Sequence, residues 1–118
     1  MVFSAMAATD FAGIVTAAQA RWAELWSGDK ALVLVGTATC GRAAGAMETL
    51  DTIERELSMA QVDATVLQVG CMGYCYAEPL VIIAKPGYPA LAYGYVTAGI
   101  AERLVRDYIV ADDPCLEF

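Results

Sequence analysis

Two short apolar runs, Ala31–Gly36 (ALVLVG) and Ala64–Val69 (ATVLQV), flank a segment with helical spacing of apolar residues. This pattern limits the fold more than any other feature. The length and β-branched content of the first run suit a strand covered on both faces, and the second reads as the next strand. Between them, Ala46, Leu50, Ile53 and Leu57 recur as one stripe of a helix expected over about Arg42 to Met59. A strand, a helix and a strand make a βαβ unit, so the two strands are expected to be parallel. Leu80–Ala84 and Ala90–Tyr95 read as two further strands. The turn Lys85-Pro86-Gly87-Tyr88-Pro89 between them makes that pair an antiparallel hairpin.

Helices close both ends. Phe11, Ile14, Val15, Ala18, Trp22, Leu25 and Trp26 mark a helix over Thr9 to Trp26. Thr9 or Asp10 is its N-cap, and Gly28 is expected to end it in a left-handed conformation. Thr97 caps a last helix, Ala98 to Val110, with Ile100, Leu104, Val105 and Ile109 facing inward. The order is α-β-α-β-β-β-α. The expected class is α/β: a thioredoxin-like fold, βαβ then ββα on a four-stranded mixed sheet, with an extra N-terminal helix. The expected division is an N-terminal helix over 1–30, a domain over 31–114, and a tail or start of a linker over 115–118.

Cysteine chemistry narrows the function. The chain has 118 residues, four cysteines and no histidine, which removes imidazole catalysis and every metal site with a His ligand. Cys71 and Cys75 lie in GCMGYC, a spacing longer than the CxxC of redox centres and most zinc knuckles. Cys40 follows the first strand and Cys71 the second. In a parallel βαβ unit those strand ends are neighbours, so Cys40, Cys71 and Cys75 are expected to meet at the carboxyl edge of the sheet. Cys115 reads as a small buried hydrophobe. Arg42, in the first turn of its helix, opposes the helix dipole and suggests an anionic partner such as the thiolates. Gly41 and Gly45 suit close packing of helix on sheet. Glu78-Pro79 matches the place where thioredoxin folds carry a cis-proline. Trp22 and Trp26 suit a core or an interface. Tyr74, Tyr76, Tyr88, Tyr93 and Tyr95 crowd the cysteine edge and hairpin as a docking surface.

Charge excludes other classes. Seven Lys and Arg stand against fourteen Asp and Glu, a net charge of −7. Such a chain has no electrostatic reason to bind nucleic acid phosphates and is repelled by anionic lipid. The sequence holds no apolar stretch of membrane-spanning length and no basic signal-peptide start, so the expected compartment is cytoplasmic, peripheral to a membrane complex at most. Hydrophobic residues make up 58% of the chain, which excludes disorder.

VGTATCGRAAGA, QVGCMGYCYAEPLVII and YGYV, in that order, resemble the thioredoxin-like [2Fe-2S] ferredoxin family. The resemblance is strongest to the domain that opens the NADH-binding flavoprotein subunit of NADH:quinone oxidoreductase (complex I) and related NAD-linked dehydrogenases. It implies a [2Fe-2S] centre held by Cys40, Cys71 and Cys75, three of the four ligands of the family pattern. The missing cysteine would fall at Val35 in one branch, or farther upstream near Ser27 in the other. Thr37, Thr39, Ser27, Cys115 or a partner protein stand as sources of the fourth ligand. The resemblance implies an electron relay within an NADH dehydrogenase whose FMN, NADH and [4Fe-4S] sites lie in other domains, so this domain does not itself oxidise NADH. Its partners would be the other domains and subunits of that complex, with a homodimer also admitted. The alternative is a docking domain of the same oxidoreductase that has lost its cluster. A thiol–disulfide enzyme is a third reading, disfavoured by the cysteine spacing.

Overall fold

The computed structural model of the chain describes residues 10–118. The first helix, α1, spans Phe11–Ser27. Asp10 is its N-cap and its Oδ1 accepts from the Gly13 amide at 2.9 Å; the other candidate, Thr9, lies outside the described residues. Gly28 closes the helix in an extended conformation, φ −73° and ψ −178°, rather than the left-handed one expected. Glycine is needed there for a different reason: a Cβ would stand 2.4 Å from the Glu24 carbonyl oxygen.

Four strands follow, β1 (Ala31–Gly36), β2 (Ala64–Val69), β3 (Val81–Ala84) and β4 (Leu91–Tyr93). They form one sheet in the order β2-β1-β3-β4. β1 and β2 are parallel, in register from Ala31 opposite Ala64 to Gly36 opposite Val69. β3 is antiparallel to both β1 and β4. This is the four-stranded mixed sheet expected of a thioredoxin-like fold, with the extra helix ahead of it.

The crossover between β1 and β2 is two helices rather than one, α2 (Thr39–Ala43) and α3 (Ala46–Met59). The break falls at Gly45, whose φ of +102° is open to glycine at little cost. α3 buries Ala46, Leu50, Ile53 and Leu57, the whole predicted stripe. α4 (Ala98–Arg103) starts at Thr97, whose hydroxyl accepts from the Ile100 amide, and widens into π geometry over Leu104–Val110. Leu104, Val105 and Ile109 join the core with Val33, Val35, Ile83, Tyr93 and Cys115, while Ile100 packs against it partly buried. Fully burying one such aliphatic side chain stabilises the fold by about 1.5–3 kcal/mol. A single buried hydrogen bond, from Thr49 Oγ1 to the Val96 carbonyl at 2.6 Å, ties α3 to the segment entering α4.

α1 is the exception. It buries none of its residues, and Trp22, with its ring 5.4 Å from that of Trp26, stays 63% exposed. The tryptophans therefore take no part in the core of this chain. Among the described residues, no helix is long and apolar enough to cross a membrane.

Candidate functional site

The carboxyl ends of β1 and β2 meet at one edge of the sheet. The Thr37 amide donates to the Val69 carbonyl at 3.0 Å, extending the parallel ladder one residue past β1. From that point the chain turns into α2 and places Cys40 in its first turn. The other strand runs through Gly70 into Cys71. A turn of 3₁₀ helix over Cys75–Ala77 then carries the chain toward a cis Glu78–Pro79 bond and β3.

These two paths bring the three predicted sulfurs together. Cys40 Sγ lies 3.4 Å from Cys71 Sγ, and Cys71 Sγ lies 3.3 Å from Cys75 Sγ. All three sulfurs fall within 4.8 Å of one another. Cys40 is half-buried, while Cys71 and Cys75 are exposed. The Gly73 amide donates to Cys71 Sγ at 3.3 Å. That amide, with the neighbouring Cys75 and Cys40 thiols behind it, holds the Cys71 thiol below its ordinary range. Cys75 is pushed up to about 12, first by its hydrogen bond with Cys40 and then by that with Cys71. Of these two, Cys71 therefore gives up its proton the more readily. A metal centre supplies the positive charge that lets all three become thiolates.

The donor set fits an iron–sulfur cluster. Soft thiolates are the ligands such clusters take. The loop is not crowded at its glycines, since a Cβ on Gly70 or Gly73 would meet no atom within 4 Å.

Other candidates lie elsewhere. Cys115 is fully buried in the core, its thiol donating to the Asp113 carbonyl at 3.3 Å, as a small hydrophobe would be placed. Val35, where one branch of the family pattern would have a cysteine, is also a core residue. Arg42 is held by a backbone oxygen, and among the described residues no hydrogen bond joins it to a thiol. Its Nε donates to the Thr37 carbonyl at 2.8 Å, pinning the turn between β1 and α2. Gly41 does serve close packing, because a Cβ there would stand 2.2 Å from the Gly36 carbonyl oxygen.

The tyrosines divide. Tyr74, Tyr76 and Tyr95 are exposed beside the cysteine loop, with the Tyr95 amide donating to the Ala77 carbonyl at 2.7 Å. Tyr93 is instead buried in the core, and Tyr88, exposed in the hairpin turn, packs edge-on against Tyr108 of the last helix. The docking surface expected of five tyrosines is a rim of three.

One neighbour of the sulfurs escaped sequence reasoning. Glu78 is buried with its Oε1 3.9 Å from Cys40 Sγ. The only signal for it was an acidic residue at the proline that leads into β3.

No protein-family model matches the chain. Over 86 residues the sequence is 34% identical to the NADP-reducing hydrogenase subunit HndB of Solidesulfovibrio fructosivorans, covering 72% of this chain and 68% of that subunit. The fold is similar to the wild-type thioredoxin-like [2Fe-2S] ferredoxin of Aquifex aeolicus, with a TM-score of 0.66 at 18% identity over 76% of this chain and 95% of that one. A second structure of a thioredoxin-like [2Fe-2S] ferredoxin from that organism gives 0.65 at 16% identity, over 76% and 89%.

Proposed function

The chain belongs to the thioredoxin-like [2Fe-2S] ferredoxin family, as a relative of the hydrogenase subunit HndB, and from that premise we propose that it relays single electrons through a [2Fe-2S] centre within an NAD(P)-linked oxidoreductase of several subunits. The observation that carries this reading is the convergence of Cys40, Cys71 and Cys75 within 4.8 Å. These three residues would hold the cluster, which would supply a one-electron redox centre when bound. The chain's own contribution is positional. The β1–β2 ladder fixes the two loops, the Gly73 amide neutralises part of the charge on Cys71, and the exposure of Cys71 and Cys75 leaves the centre open to a redox partner. Hydrogen bonds to sulfur and solvent exposure are the terms that set the potential of such a centre.

The partners would be the other subunits of that assembly, where flavin and nicotinamide would bind. Two features support a bound partner: the uncovered apolar face of α1 (Phe11, Ile14, Trp22) and the tyrosine rim beside the cysteines. Aromatic residues are enriched at the centres of interfaces. An NADH:quinone oxidoreductase and an NADP-reducing hydrogenase both satisfy this reading; the similarity to HndB favours the hydrogenase type.

Iron and acid-labile sulfide analysis on anaerobically prepared protein tests the proposal. About two iron and two sulfide per chain, with an EPR signal on reduction, are expected of a [2Fe-2S] centre. Iron far below one atom per chain would replace the relay with a cluster-free docking domain.

A further inference from the structure

Glu78 sits where a carboxylate is costly. The residue is only 7% exposed, and among the described residues no lysine or arginine forms an ion pair with it. A buried charge without a counter-charge is strongly disfavoured. One oxygen is accounted for: Oε2 accepts from the Leu80 amide at 2.8 Å. The other, Oε1, accepts from Cys40 Sγ at 3.9 Å.

The surroundings are shaped to this carboxylate. A Cβ on Gly36 would stand 3.1 and 3.2 Å from its two oxygens, and a Cβ on Gly41 would stand 3.3 Å from Oε2. Two residues without side chains, one ending β1 and the other next to Cys40, thus leave the room that Glu78 fills. Alternation along β1 puts Gly36 on the face opposite Val35, whose side chain belongs to the core.

We propose that Glu78, through Oε1, is the fourth protein ligand of the cluster, in place of the thiolate that the family pattern would put at Val35. The inference rests on the electron-relay reading. A [2Fe-2S] cluster takes two protein ligands on each iron, as the replacement of two Cys by two His on one iron of Rieske centres shows. The chain offers four donors for these places: Cys71 with Cys75 at 3.3 Å from one loop, and Cys40 with Glu78 at 3.9 Å beside them, Cys40 Sγ standing 3.4 Å from Cys71 Sγ. Binding to iron also supplies the counter-charge that the buried carboxylate lacks. An amide donor fixes the second oxygen, as outer partners of ligating carboxylates commonly do.

The test compares the full chain with Glu78→Gln and Glu78→Ala after anaerobic reconstitution with iron and sulfide. Glu78→Gln is isosteric and keeps an acceptor for the Leu80 amide, so the fold should persist by circular dichroism. Expected are a shifted visible spectrum and EPR pattern, and iron loss to a chelator at least about tenfold faster than from the unsubstituted protein. In Glu78→Ala, added small thiol should slow that loss and move the spectrum in a concentration-dependent way, a rescue that a purely structural role would not show. X-ray absorption at the iron edge of the unsubstituted protein, which depends on no variant, should contain an oxygen scatterer beside the sulfurs. An all-sulfur shell, or a Glu78→Gln protein with unchanged spectrum and iron retention, would overturn the assignment and leave the electron relay standing. Unsubstituted protein that takes up no iron would overturn both.

Discussion

Tyr93 shows how one buried group sets the response of the domain to alkali. Its hydroxyl donates to the Pro114 carbonyl at 2.5 Å, and its ring lies in the core, 6.4 Å from that of Tyr108. Burial first, then the neighbouring acidic groups Tyr108, Cys115, Asp113 and Glu117, push the phenol up to about 12 from its ordinary value of 10.0. The unfolded chain releases this proton near pH 10, the folded chain near pH 12. Between those values the unfolded state binds fewer protons, so stability falls as pH rises. Below about pH 10 the contribution is complete. Urea unfolding across pH 9.5 to 12 should therefore lose stability more steeply in the unsubstituted protein than in Tyr93→Phe. Parallel curves would mean that Tyr93 does not hold its proton in the fold.

Helices α1 and α3 look alike in sequence and behave differently in the fold. Both carry an apolar stripe at helical spacing, yet α3 buries its stripe and α1 buries nothing. Leu50→Ala in α3 should cost about 2–5 kcal/mol, the range for emptying a packed aliphatic site. Trp22→Ala in α1 should stay within about 0.5 kcal/mol, as surface substitutions usually do. Denaturant midpoints for the two variants decide this. A large loss for Trp22→Ala would mean that α1 folds back onto the domain. Periodicity reports that a face is apolar; what covers it depends on contacts distant in sequence, or in another chain. The same division explains the rest of the fold. β1 and β2 were legible to the residue because short apolar runs on either side of a helical segment mark the strands of a βαβ unit, although only β1 is buried and β2 stays partly open. β4 is shorter than predicted because Tyr95 adopts a φ of +53° and its amide turns to Ala77 instead of β3. The helix break at Gly45 was hidden because a glycine inside a periodic segment reads equally as a packing residue. Cys40, Cys71 and Cys75 were legible because strand order alone sets their place. Glu78 was not, since a carboxylate gains its meaning only from the sulfur and the two glycines that the fold brings to it.

The molecule as a whole keeps its core and its cysteine edge separate. The core is built from β1, β3, α3 and the last helix, around Val33, Val35, Ile53, Ile83, Leu104, Val105 and Tyr108. None of the three clustered cysteines belongs to it, and two of them face solvent. Small metal domains behave otherwise: zinc fingers have too little core to fold without their ion. Here the strands, helices and buried hydrogen bond of Thr49 stand without any contribution from the sulfurs. Removing iron, or replacing both Cys71 and Cys75 by serine, should therefore leave the far-UV circular dichroism and a cooperative unfolding transition in place. Loading the centre should raise the midpoint further, because a group bound only by the folded state adds stability in proportion to the logarithm of its occupancy ratio. Loss of cooperative unfolding in the Cys71→Ser, Cys75→Ser double variant would show that the sulfur edge is part of the folding core. A domain that folds before it is loaded can hold its sulfurs in place while iron and sulfide are delivered.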